Sequence, residues 1–285
     1  MVERLRLARL TVPFAWALTI NAVATLAFAA VGDIFLFFEG KAASGAAWLT
    51  EPRPAGYLAD VPLDFRALLG PMPAPGSLTD RDDVVGLKRH EAPRTSARWA
   101  VAQADDASVY DRFSEAFGLP IDREHTPLLI HLLNRVERDV GKPTFDAKEF
   151  YQRPRPFQRF QLSKVCGEDP APKAERNPVS GSSYPSGHAA YGWAVALVLV
   201  EVAPDHAQAI LTRGMDYGES RVVCGAHFPS DVEAGRLIAA AVVQRLYTSS
   251  EFVRDLRCAQ WEHKTTSGAS AHPPPETCSK ISVVP

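Results

Sequence analysis

Three short stretches of this 285-residue chain carry side chains that could do chemistry together. KEFYQRPRP holds Lys148 and Arg155; Pro185-Ser186-Gly187-His188 comes next; SRVVCGAHFPSD holds Ser220, Arg221, His227 and Asp231. Each alone reads as structure: cations beside Pro are usually solvated, Ser-Gly-His before a helix is usually a cap, and a His four residues before an Asp is usually a local pair. Their conjunction reads differently. It supplies three fixed cations, a helix start rich in backbone N–H groups, two imidazoles and a carboxylate. A phosphate monoester carries roughly two negative charges, and the charge on its equatorial oxygens must meet preorganised donors. Arg155 and Arg221 offer bidentate forks, and Lys148 offers a point charge. Ser186 and the Gly187 N–H lie where a helix start favours an anion, and Gly187 lets the backbone approach an oxygen closely.

The two imidazoles then divide the proton work. One must be neutral to attack phosphorus, and the other must be charged to protonate the leaving alcohol. If a helix begins near Ser230, Asp231 comes within reach of the His227 ring, accepts its Nδ1–H and leaves Nε2 to attack. His227 is then the nucleophile, through a phosphohistidine, and His188 the general acid. His90, His125, His131, His206, His263 and His272 have no comparable company. No cluster has divalent-metal spacing, so no metal and no other cofactor is expected.

Helices must bring these stretches together. Apolar residues recur at helical steps in 94–117 (Trp99, Ala102, Val109, Phe113, Phe117) and in 122–140 (Leu129, Leu132, Leu133, Val136, Val140), where Asp122 is the expected N-cap. A short helix is expected over 145–153, a core helix over the nearly all-apolar 187–202, a helix over 205–218 ending near Gly218, and another over 231–248. Hairpin signals and period-2 alternation are absent. The expected class is all-α: a single-domain helical bundle over 81–262, after a Pro-rich, loop-like leader over 31–80 and before a polar tail over 263–285. Hydrophobic residues at 46% and charged residues at 22% exclude bulk disorder. A mean hydropathy of −0.11 excludes a multi-span membrane protein. Lys and Arg total 31 against 33 Asp and Glu, so the global field gives no reason to expect nucleic acid as a partner.

Arg4, Arg6 and Arg9 precede an apolar run from Leu10 to Ala30 that contains Ala27-Phe28-Ala29, the pattern of a secretory signal over 1–30. Apolar residues resume at Phe35–Phe38, so an uncleaved anchor is the alternative, and only then is a membrane a partner. Either way the rest is exported, to the periplasm or beyond. Four Cys in an exported chain suggest two disulfides in one of three pairings. Cys258–Cys278 would staple the tail to the last helix, leaving Cys166–Cys224 to join two loops of the candidate site.

The spacings K-x6-R-P, P-S-G-H and S-R-x5-H-x3-D resemble the signature of the type-2 phosphatidic acid phosphatase superfamily, which also contains vanadium-dependent haloperoxidases. Within it, GSSYPSGHAAYGWAVALVL and GESRVVCGAHFPSDVEAGR are similar to the bacterial class A non-specific acid phosphatases, and the resemblance spans roughly residues 70–250. It implies an all-helical bundle of that type, periplasmic and often homo-oligomeric, acting at acid pH on small phosphomonoesters. It also implies phosphate contacts from Lys148, Arg155, Ser186, Gly187, His188 and Arg221, with His227 as nucleophile. Three features depart from it: Ala189 where relatives often carry Thr, a Pro-rich loop over 167–180 that looks longer than usual, and the leader over 1–55. Rival readings are a membrane-tethered lipid phosphate phosphatase, a vanadium-dependent haloperoxidase, and a phosphate-binding protein without turnover.

Overall fold

The computed structural model describes residues 54–58, 63–90, 96–106, 108–160, 162, 165–166, 181–269 and 272–281. The signal-like segment, most of the leader and the loop over 167–180 lie outside them. Ten α-helices and no strand occur among the described residues, so the class is all-α as expected. In chain order they are α1 (Phe65–Leu69), α2 (Leu78–Arg89), α3 (Ala97–Ala104), α4 (Val109–Phe117), α5 (Pro127–Tyr151), α6 (Pro156–Arg159), α7 (Gly187–Val202), α8 (Ala207–Val223), α9 (Pro229–Leu246) and α10 (Ser250–Thr266). Short 3-10 turns lie at Pro204–His206 and Glu276–Lys280.

Local chemistry sets many of the starts. Ser77, Ser96, Ser186 and Ser249 each accept a backbone N–H from the first turn of the helix they precede, and Asp64 does so for α1. Such caps satisfy donors that have no partner within the helix. Helix α7 is apolar on nearly every side and therefore sits at the centre, packed by α5, α8, α9 and α10. Its 16 residues reach about 24 Å at 1.5 Å each, short of a bilayer core. No helix among the described residues is long and apolar enough to cross a membrane.

Several boundaries differ from expectation, each for a local reason. The stretch 94–117 breaks into α3 and α4 because Asp105, with a fully buried side chain, turns inward to Arg112 (2.8 Å), Arg213 and Ser220 (2.6 Å). Asp122 caps only a turn, accepting from Glu124 N and His125 N; the helix itself starts at Pro127. That helix, α5, then runs 25 residues through Pro143 and absorbs the separate helix expected at 145. Thr144 Oγ1 donates to the Val140 carbonyl at 2.7 Å in the turn that Pro143 interrupts. Helix α8 passes through Gly218 rather than ending there. A Cβ at Gly218 would come within 3.0–3.5 Å of Arg236, Val232 and Ala189, so this glycine marks close helix packing. The leader is less loop-like than its prolines suggest: α1 and the start of α2 form within it. Residues 54–58 are held by Asp139, which accepts from Tyr57 N (2.7 Å) and Leu58 N (2.9 Å), and by Asp255, which accepts from the Tyr57 hydroxyl (2.8 Å).

The four cysteines form Cys166–Cys224 and Cys258–Cys278. The first ties the segment after α6 to the end of α8. The second ties the C-terminal 3-10 turn to α10.

Candidate active site

The site forms where α5 ends, α7 begins and α8 turns into α9. Lys148 lies in the last turn of α5, buried, with Nζ donating to the Ser182 carbonyl at 2.7 Å. Gln152, at φ 49°, ends the helix. Pro154 and Pro156 then keep Arg153 and Arg155 out of helical conformation, because a residue before proline clashes there. Arg155 is accordingly extended (φ −74°, ψ 157°) and sends its buried guanidinium to the Gly181 carbonyl (3.2 Å), the Ala226 carbonyl (3.1 Å) and His227 Nε2 (3.1 Å).

Ser186 is the N-cap of α7; Oγ accepts from Ala189 N at 3.3 Å and its own N–H goes to the Asp231 carbonyl at 2.8 Å. Gly187 and His188 therefore supply the first N–H groups of a buried helix start, which lack intrahelical acceptors. Helix α9 lies very close to this start: a Cβ on Gly235 would stand 2.4 Å from the Ser186 carbonyl oxygen and 3.0 Å from Ala190 N. Ala189 is buried in the same contact against Val222 and Val232.

Arg221, in the last turn of α8, is buried; Nη1 donates to Asp106 Oδ1 at 2.7 Å, and Nε has no partner among the described groups. The chain then turns through Gly225, whose φ of 67° suits glycine, and brings His227 back so that its N–H reaches the Arg221 carbonyl at 3.2 Å.

The ring of His227 has a defined tautomer. A guanidinium only donates, so Nε2 accepts from Arg155, and Nδ1–H donates to the Ser183 carbonyl at 2.7 Å. Here the structure corrects the sequence reading. Asp231 does not take the Nδ1 proton; its Oδ2 stands 3.6 Å away. Nearer donors occupy the carboxylate. Phe228 N (2.7 Å) and the Ser183 hydroxyl (2.5 Å) bind Oδ2, while Arg153 (2.6 Å) binds Oδ1. Helix α9 starts at Pro229, which makes Asp231 the first-turn residue that caps it. Ser183 links the two residues: its carbonyl accepts from the His227 ring and its hydroxyl donates to the Asp231 carboxylate.

His188 is buried, stacked on Tyr217 (centroids 6.2 Å apart, planes 28° apart), with Nε2 3.8 Å from Asp106 Oδ1. Burial pushes both histidines well below the usual histidine range. Arg221 is the strongest charge acting on His188, and Arg155 and Lys148 the strongest on His227. Burial also lowers Lys148 well below its usual range, with Arg155 adding to the effect, and burial and Arg221 bring Arg155 to about 10. Such a surplus of buried cations favours an anion among them.

The eight residues given a role from sequence thus meet here. Ser220 points away, to Asp105. The sequence reading missed Arg153, Ser183, Asp83 and Asp106. Arg153 bridges Asp231 to Asp83 (2.7 Å) and lies 4.3 Å over the Phe228 ring. Only its place in the R-P-R-P run hinted at it. The six remaining histidines take no part in these contacts; His131, for one, faces Asp255 at 3.4 Å.

Residues 139–255 match the model of the PAP2 superfamily. The chain is 40% identical over 205 residues to a non-specific acid phosphatase of Providencia stuartii, covering 70% of this chain and 81% of that protein. It is 37% identical over 221 residues to an acid phosphatase of Zymomonas mobilis, covering 75% and 80%. With a non-specific acid phosphatase of Salmonella typhimurium it shares 38% identity over 193 residues, covering 66% and 75%.

Proposed function

The chain belongs to the PAP2 superfamily, alongside non-specific acid phosphatases, and from that premise we propose that it hydrolyses phosphate monoesters as an acid phosphatase. The observation that carries the reading is the fixed tautomer of His227, whose Nε2 lone pair faces a buried guanidinium. In the proposed cycle, Lys148, Arg155, Arg221 and the N–H groups at the start of α7 bind the phosphoryl oxygens. His227 Nε2 attacks phosphorus as the ester P–O bond breaks, and His188 gives its proton to the departing alkoxide. Water then attacks the phosphohistidine, His188 takes a proton from it, and phosphate leaves with His227 restored. The cations supply the charge stabilisation, so no metal is needed. Two disulfides and the signal-like N-terminus support an exported enzyme.

The test is to trap the intermediate. Wild type mixed with a radiolabelled phosphomonoester and quenched in alkaline detergent should carry label that survives alkali and is lost in acid, the behaviour of phosphohistidine, and activity should survive EDTA. His227→Ala should carry no label and lose about 10⁴-fold or more in kcat, as removal of a nucleophile does. Turnover by His227→Ala within tenfold of wild type, or EDTA inactivation reversed by a divalent ion, would overturn the mechanism.

A further inference from the structure

The phosphatase reading leaves one requirement open. His188 must hold a proton while it is buried among cations that oppose it. The groups facing it are Lys148 from α5, Arg155 ahead of α6, Tyr217 and Arg221 from α8, His227 from the α8–α9 turn, and Asp106 from the α3–α4 turn. Asp106 is the carboxylate among them. A single oxygen, Oδ1, lies 2.7 Å from Arg221 Nη1 and 3.8 Å from His188 Nε2. Its position is built. The neighbouring Asp105 is locked by Arg112, Arg213 and Ser220, and this fixes the turn that presents Asp106. Arg221 Nε, also buried, has no partner among the described groups, so an incoming oxyanion can engage this guanidinium while Asp106 keeps Nη1.

We propose that Asp106 is the positioning residue of the proton donor: its carboxylate steadies the imidazolium form of His188 and so sets how well the enzyme expels poor leaving groups. A carboxylate within about 4–6 Å favours the charged form of a neighbouring imidazole, which offsets part of the effect of the cations. The leaving-group acid matters for an alkoxide, which departs poorly without a proton. It matters little for p-nitrophenolate, which departs readily as the anion. Asp106 should therefore discriminate between ester classes, whereas a merely structural residue would not.

The experiment compares wild type, Asp106→Asn and Asp106→Glu on glycerol phosphate and p-nitrophenyl phosphate across pH. Vanadate inhibition serves as a readout of the oxyanion cage. Asp106→Asn should lose about tenfold or more in kcat/KM on glycerol phosphate but no more than about threefold on p-nitrophenyl phosphate. Its basic limb on glycerol phosphate should move toward acid by about one unit, with vanadate inhibition kept within about threefold. Asp106→Glu should recover most of the difference between the two esters. Equal losses on both esters with an unmoved limb would confine Asp106 to holding Arg221 and overturn the proposal, as would wild-type behaviour on both. A wild-type chain inactive on both esters overturns the phosphatase reading itself.

Discussion

His188 and His227 are basic groups that the folded chain keeps from taking up protons, and the effect has a definite sign. Their folded-state values lie well below the usual histidine value, first because of burial and then because of the cations around them. Below about pH 6.5 the unfolded chain therefore binds more protons at these sites than the folded one. Their contribution to stability is present above that value and is lost as pH falls. Glu262, raised to about 7 by burial, works in the opposite direction over part of the same window. The informative quantity is thus the effect of an added oxyanion. Sulfate keeps its charge across this range and would favour the charged imidazoles. It should stabilise the protein more at pH 5 than at pH 8, and its binding should take up protons, as titration calorimetry in buffers of different ionisation enthalpy would show. Proton release on binding would contradict this account of the charges.

Between elements, the critical approach is that of α9 to the start of α7. Gly235 allows it, because the atoms a Cβ would meet are backbone atoms of Ser186 and Ala190 that cannot rotate aside. Gly235→Ala should cost about 1–3 kcal/mol in denaturant unfolding, the range for overpacked interiors. It should also lower kcat, because it displaces the helix start that carries Ser186, Gly187 and His188. Wild-type stability in that variant would mean that the two helices separate freely. The same approach explains how Asp231 can both cap α9 and receive the Ser183 hydroxyl: the two loops share one carboxylate.

Over the whole molecule, two disulfides fasten different parts of the bundle. Cys224 lies between Arg221 and His227, and its bond to Cys166 closes a separation of 58 residues. The Cys258–Cys278 bond closes 20 residues and anchors the C-terminal turn to α10, which contributes no side chain to the site. Replacing either pair by serine should cost about 2–4 kcal/mol of stability. Only loss of the Cys166–Cys224 pair should also depress kcat at temperatures where both variants stay folded. Equal turnover in the two variants would show that the Arg221–His227 turn holds its shape without the bond.

Much of the candidate site was legible from sequence because the phosphoryl chemistry proposed for it requires particular residue types. Lys148, Arg155, Ser186, Gly187, His188, Arg221, His227 and Asp231 announce themselves by kind and spacing, and the helical class follows from apolar periodicity. Helix ends were less legible. Pro143 and Gly218 carry local signals to stop, but burial of α5 and α8 against neighbouring helices overrides them. Only the folded chain decided which donor each carboxylate meets. Asp231 lies four residues from His227 yet serves Phe228, Ser183 and Arg153, while Asp106, 82 residues before His188, comes to face it. A hydrogen-bond partner is set by distance and direction in space, and those arise from packing among helices far apart in the chain, which spacing along the sequence does not encode.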